Sequence, residues 1–170
     1  MTERGADEPQ ARVTIREATI EDAPVFLDLV DALADYEVLD RPSAEARERL
    51  VRDGFGNEPR FRAYLAEREG QCIGYAIVLL TYSSFLALPT LFLEDLFVLP
   101  EARRGGVGAA FFRFLAKEAL RLGCGRMEWM VLDWNQLAID FYETLGARRL
   151  SDWYPYRLTA QELGRIANRS

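Results

Sequence analysis

Arg103-Arg104-Gly105-Gly106-Val107-Gly108 is a glycine-rich run headed by an arginine pair. Before it, Leu91 to Leu99 is nearly all apolar and broken only by Glu94 and Asp95. After it, Val107, Ala110, Phe111, Phe114 and Leu115 recur at helical spacing. A strand is therefore predicted to feed a helix through this turn. Glycines there admit backbone conformations closed to other residues and let a ligand approach the main chain, so that free N–H groups and the positive helix end can hold a pyrophosphate. The spacing fits neither the G-x-G-x-x-G of a dinucleotide fold nor a P-loop, whose lysine follows its last glycine; the next lysine here is Lys117. Taken alone, the run is also compatible with a tight turn that binds nothing.

Proton-handling groups are restricted in kind. The chain has no histidine, which removes every mechanism with imidazole as base or ligand and leaves carboxylates, tyrosine, lysine or water held by one of them. Glu94 interrupts an apolar strand, where an unpaired charge is costly, and Asp95 beside it is expected on the opposite face, so one solvated surface cannot account for both. Tyr142 follows Asn135 by two helical turns on one face. Packing beside Phe141 and Leu145 is the ordinary role for that tyrosine, and capping a helix the ordinary role for Asn135.

The elements that must position these groups can be read along the chain. Val13 to Glu17 is a predicted strand, followed by a helix from about Glu21 with Phe26, Leu29, Val30 and Leu33 inward and Thr19 as its cap. Pro42-Ser43 opens a second helix, with Ala46, Leu50 and Val51 on one face and Gly54 and Gly56 closing it. Arg60 to Glu67 and Cys72 to Thr81 read as an antiparallel pair turning at Glu69-Gly70. The strand Leu91 to Leu99, the glycine loop and a helix ending near Gly123 come next. Arg126 to Leu132 is then a strand, Gln136 to Leu145 a helix stopped by Gly146, and Arg148 to Leu158 a last strand region kinked at Pro155. The order is β-α-α-β-β-β-α-β-α-β.

Length and composition agree with an enzyme-sized domain. At 170 residues and 49% hydrophobic, one domain with a substantial core is expected over residues 12–170, behind a polar tail at residues 1–11. Two cysteines, Cys72 and Cys124, cannot build a disulfide framework, and no ligand cluster suggests a metal. No run is long enough to cross a bilayer and no signal sequence is evident, so a cytoplasmic location without membrane association is expected. The net charge of −6 disfavours nucleic acid and favours cationic small molecules.

The pattern R-x-x-G-x-G on Arg103, Gly106 and Gly108 resembles the acetyl-CoA pyrophosphate loop of the GNAT superfamily of N-acetyltransferases. Leu93-Glu94-Asp95-Leu96-Phe97-Val98 before it resembles the diamine (spermidine/spermine-type) and thialysine branch of that superfamily. So do Val131-Leu132-Asp133-Trp134-Asn135-Gln136 and Asp140-Phe141-Tyr142 after it, in matching order and spacing. Ala34-Asp35-Tyr36-Glu37, Asp53-Gly54-Phe55-Gly56 and Thr81-Tyr82 extend the likeness over roughly residues 13 to 158.

The resemblance implies an α/β (α+β) fold, with a mixed, mostly antiparallel sheet of six to seven strands and about four helices. A splayed parallel strand pair forms the acetyl-CoA cleft. It implies acetyl transfer to a primary amine of a small diamine, polyamine or lysine-like compound, with no metal. Implied coenzyme contacts are Leu96, Phe97, Val98, Arg103, Arg104, Gly105, Gly106, Val107, Gly108, Ala109, Asn135, Ala138 and Tyr142. Glu94 becomes the base, acting through water, and Tyr142 the acid for the departing thiolate. Tyr36, Glu37, Glu94, Asp95 and Asp152 are drawn toward the amine pocket, and a homodimer is expected. Phe85 stands where that branch usually has tryptophan, which weakens the case for polyamines. Two further readings stay open: a CoA-binding domain without catalysis, and an enzyme acting on protein N-termini or lysine tails.

Overall fold

Arg62 to Arg68 shows why both faces of the sheet are covered. In this strand Ala63, Tyr64, Leu65 and Ala66 are all buried, a run expected where alternate side chains meet helices on opposite sides. Ala63 and Leu65 join Phe26, Leu29, Tyr75, Ile77 and Phe97 in one cluster, with Phe26 edge-on to Phe55 and to Tyr75 at 5.5 Å. Tyr64 faces the other way, against Phe114 at 5.0 Å.

A computed structural model describes residues 12–168; the predicted tail, residues 1–11, lies outside the described residues. The chain divides into two compact units after Met130. The first holds β1 (Thr14–Glu17), α1 (Ala23–Glu37), α2 (Ala44–Phe55), β2 (Arg62–Arg68), β3 (Gln71–Ser83), β4 (Leu88–Val98), α3 (Val107–Arg121) and β5 (Arg126–Trp129). The strands form one sheet in the order β1-β2-β3-β4-β5. The first three pairings are antiparallel and β4–β5 is parallel. The β2–β3 turn lies at Glu69 and Gly70, both with positive φ, as the sequence predicts. Ser43 caps α2 by accepting from the Ala46 amide at 3.3 Å.

The second unit holds α4 (Gln136–Thr144) and α5 (Ala160–Ala167). Here the structure departs from expectation. Residues 148–158 form no strand, and β5 stops at Trp129 instead of Leu132. The described sheet therefore has five strands, below the six to seven predicted. Leu150, Trp153, Tyr154, Tyr156 and Leu158 are exposed; alternation of large apolar residues reads as a strand, but a strand also needs a partner edge. α5 was not anticipated. Its signal was nevertheless present, since Thr159 and Glu162 form a capping box, with the Thr159 amide donating to Glu162 Oε2 at 2.7 Å.

Candidate active site

The glycine loop leaves β4 through a short turn at Pro100–Ala102 and enters α3 at Val107. Gly106 has φ +74, the left-handed conformation that glycine adopts without strain, and Arg104 adopts a similar one, φ +63, without that freedom. None of the N–H groups from Arg104 to Ala109 meets a backbone carbonyl. Six consecutive free donors at the start of a four-turn helix favour negative charge beside the loop.

The parallel pair comes apart beside this loop. β4 and β5 pair from Thr90↔Arg126 to Leu93↔Trp129, and β4 continues alone through Val98. The Leu99 amide donates to Ile73 on β3, and the Phe97 carbonyl faces Gly74 so closely that a Cβ there would lie 2.5 Å away. Alternate residues point their polar groups in opposite directions, so Leu96 and Val98 present theirs to the unpaired edge. The Val98 carbonyl accepts from Arg103 Nε at 2.9 Å. The Leu96 groups and the Val98 amide face the opening.

Arg103 does more than follow the loop. Its guanidinium lies over the Tyr36 ring at 4.3 Å, so one side chain links the end of α1 to the open segment of β4.

Glu94 and Asp95 occupy different environments, as alternation predicts, but the pairing there is irregular in a way absent from the residue pattern. Ile77 pairs with Asp95 and Val78 with Leu93, which leaves Glu94 as the extra residue of a β-bulge. Glu94 is exposed. Asp95 lies largely inside and accepts from the Tyr75 hydroxyl at 3.2 Å. Burial pushes the Asp95 carboxyl up to about 6 against the Tyr75 bond that lowers it, and the negative charges of Glu94 and Glu37 push the same way. The charges of Glu37 and Glu94 are thus both felt at Asp95.

A carboxyl with a raised folded pKa has a defined effect on stability. Below the unfolded value near 4 it is neutral in both states. As pH rises through about 6 the folded protein must carry the buried charge, and a gap of about two units corresponds to roughly 3 kcal/mol. Asp95→Asn is expected to match the parent near pH 4 and to exceed it by up to that amount at pH 8. Urea unfolding at the two pH values checks this; equal stabilities at pH 8 would contradict the buried charge.

The remaining predicted residues lie in the second unit. Asn135 caps α4, its Oδ1 accepting from the Ala138 amide at 3.3 Å, which leaves its Nδ2 donors for another partner. Ala138 and Tyr142 are half-buried on α4, and burial raises the Tyr142 hydroxyl above its ordinary value. Asp152 is exposed in a turn beside Ser151, whose hydroxyl donates to it at 3.3 Å. Phe85 stands fully exposed at the tip of the β3–β4 hairpin. Leu88 lies six positions before Glu94 along β4, about 20 Å at strand spacing, so within this chain Phe85 does not line the carboxylate cluster. Sequence reasoning missed Tyr75, the partner of Asp95, because a core tyrosine in a buried strand gives no signal of a polar contact. Among the described residues no cluster could hold a metal ion.

A mixed sheet whose parallel strands separate beside a helix-opening loop of free amides is the architecture of the N-acetyltransferase fold. Residues 26–147 match the Acetyltransferase (GNAT) family. The chain belongs to that family, whose members use acetyl-CoA as co-substrate, and it is an acyltransferase. It is 35% identical to a thialysine N-epsilon-acetyltransferase of Sus scrofa over 170 residues, covering 94% of this chain and 99% of that one. An L-ornithine N5-acetyltransferase of Arabidopsis thaliana is 42% identical over 93 residues, 55% of this chain and 41% of its own. An integron cassette protein from the mobile metagenome of V. cholerae shares the fold with a TM-score of 0.79 at 21% identity, over 92% and 98% of the two chains. No helix among the described residues is long and apolar enough to cross a membrane.

Proposed function

We propose that this enzyme transfers acetyl from acetyl-CoA to a primary amine of a small diamine or lysine-like compound, by direct attack of the amine on the thioester. The observation that carries this reading is that Glu94 and Asp95 stand where β4 runs on beyond its pairing with β5, with the negative charge of Glu37 also acting on Asp95. An acceptor with two ammonium groups could leave one on a carboxylate and bring the other, once neutral, to the thioester. The thialysine and ornithine substrates named for the two relatives fit that description.

The chain's own groups have distinct tasks in this reading. Amides from Arg104 to Ala109 bind the pyrophosphate, and Leu96 and Val98 align the arm and polarise the acetyl carbonyl. An alkyl ammonium with a pKa near 10.4 is only ~0.1% neutral at pH 7.4. Glu94, exposed on its bulge, takes the proton through water. The amine nitrogen forms its bond to the acetyl carbon, the carbon–sulfur bond breaks while the Tyr142 hydroxyl hydrogen-bonds the departing thiolate, and the proton left on nitrogen passes through water to that thiolate, giving the amide and free CoA thiol. The enzyme is expected to act as a cytoplasmic homodimer, which light scattering of the purified protein checks.

The deciding measurement is thiol release from acetyl-CoA across a panel of amines. Diaminobutane and thialysine are expected to exceed butylamine in kcat/KM by about tenfold or more, the worth of one well-placed charge contact. Equal values for butylamine and diaminobutane would defeat the two-charge model. Turnover confined to peptide N-termini would make it a protein-directed enzyme, and CoA binding with no acceptor at all would make it a binding domain.

A further inference from the structure

Arg68, the last residue of β2, has no place in the reading above, yet its guanidinium lies against the glycine loop. Nη2 donates to the Gly105 carbonyl at 3.3 Å. A Cβ on Gly105 would stand 2.4 Å from that nitrogen and 3.2 Å from Cζ, so glycine is what leaves room for the guanidinium. Arg68 Nε is buried without a hydrogen-bond partner. An arginine held this way, from a strand outside the loop's own motif, calls for an explanation.

The peptide it touches supplies one. Gly105 and Gly106 flank a peptide that can flip with little steric resistance, since neither residue has a side chain to oppose the change. That peptide is trans, so the Gly105 carbonyl and the Gly106 N–H point in opposite directions. If the carbonyl turned toward the bound phosphates, its oxygen would repel them, and the Gly106 donor would be lost from the anion site. Arg68 holds the carbonyl on the β2 side. A Cβ on Gly106 would meet nothing within 4 Å, so that side of the loop is open for the ligand.

We infer that Arg68 is a positioning residue for the coenzyme's phosphates: it fixes the Gly105–Gly106 peptide with the Gly106 N–H turned to the pyrophosphate and sets a guanidinium behind the loop. This rests on the reading of the loop as the pyrophosphate site. The amine acceptor plays no part in it.

Arg68→Ala is expected to weaken acetyl-CoA binding in calorimetry by about tenfold and to raise KM for acetyl-CoA to match, with kcat and the amine KM nearly unchanged. Transfer from S-acetylpantetheine, which has no phosphate, should keep its parent kcat/KM, an outcome that general loosening of the fold would not give. Gly105→Ala should reproduce the loss, because its methyl displaces the same guanidinium. The double variant should bind no more weakly than either single one. Additive losses would overturn the proposal, as would an equal loss with S-acetylpantetheine. Unchanged affinity in Arg68→Ala, with binding abolished in Gly108→Val, would overturn it and spare the loop. Unchanged affinity in Gly108→Val as well would remove the loop from the site and this proposal with it.

Discussion

Tyr142→Phe is expected to lower kcat by about 10²-fold or more while leaving acetyl-CoA affinity within a few-fold of the parent. The departing thiolate belongs to a thiol of pKa near 8.5, whereas the phenol starts near 10 and burial raises it further. Complete proton transfer would therefore be uphill, and in the proposed reaction the hydroxyl acts by a hydrogen bond that strengthens as charge develops on sulfur. That interaction exists mainly in the transition state, so its loss falls on kcat. Tyr142 stays protonated over the working pH range, and it should add no limb to the pH–rate profile. Glu94→Gln has a different signature. Its kcat/KM should fall chiefly at lower pH, where unassisted deprotonation of the amine is scarcest. Thiol-release kinetics on both variants from pH 6 to 9 test the pair; near-parent rates in both with the best amine would exclude these assignments.

Gly108→Val should weaken acetyl-CoA binding by about 10²-fold with the fold retained. Gly108 lies in the first turn of α3, among the N–H groups that have no acceptor within the chain. A branched side chain there would crowd the pyrophosphate away from those donors. Hydrogen bonds to a charged group contribute roughly 1.5–3 kcal/mol each, so losing one or two gives a change of this order. Calorimetry with a melting curve as a control for folding measures it. An unchanged affinity in a folded variant would show that coenzyme binds elsewhere.

Much of the fold was legible because its signals are local. The glycine loop, the Glu69-Gly70 turn and the apolar stripe of α3 each follow from spacing and conformational preference, and the structure has them where the sequence put them. What was not legible depends on pairing. Residues 148–158 carry strand-like residues without a strand, because β structure requires a partner edge that no short window encodes. The site divides in the same way. The loop could be recognised from its glycines, and the likeness to a diamine and thialysine branch pointed to Glu94 and Asp95. Their opposite faces followed from alternation, but the bulge at Glu94 did not, and the contacts of Asp95 with Tyr75 and of Arg68 with Gly105 join strands and loops far apart in sequence. The second link of Arg103, across to Tyr36, was hidden for the same reason.

The bulge at Glu94 also separates two kinds of change that look alike on paper. Substituting Glu94 alters one carboxylate and leaves the pairing of β3 with β4 as it is. Deleting it would join Leu93 directly to Asp95 and remove the bulge, while Ile77 with Asp95 and Val78 with Leu93 stay paired, so Asp95, Phe97 and the open edge keep their faces. A deletion among the paired residues that follow is different: a one-residue slip in a strand exchanges its two faces, so Asp95 and Phe97 could not both keep their places toward Tyr75. The extra residue thus marks a position where β4 can lose length without losing its phase.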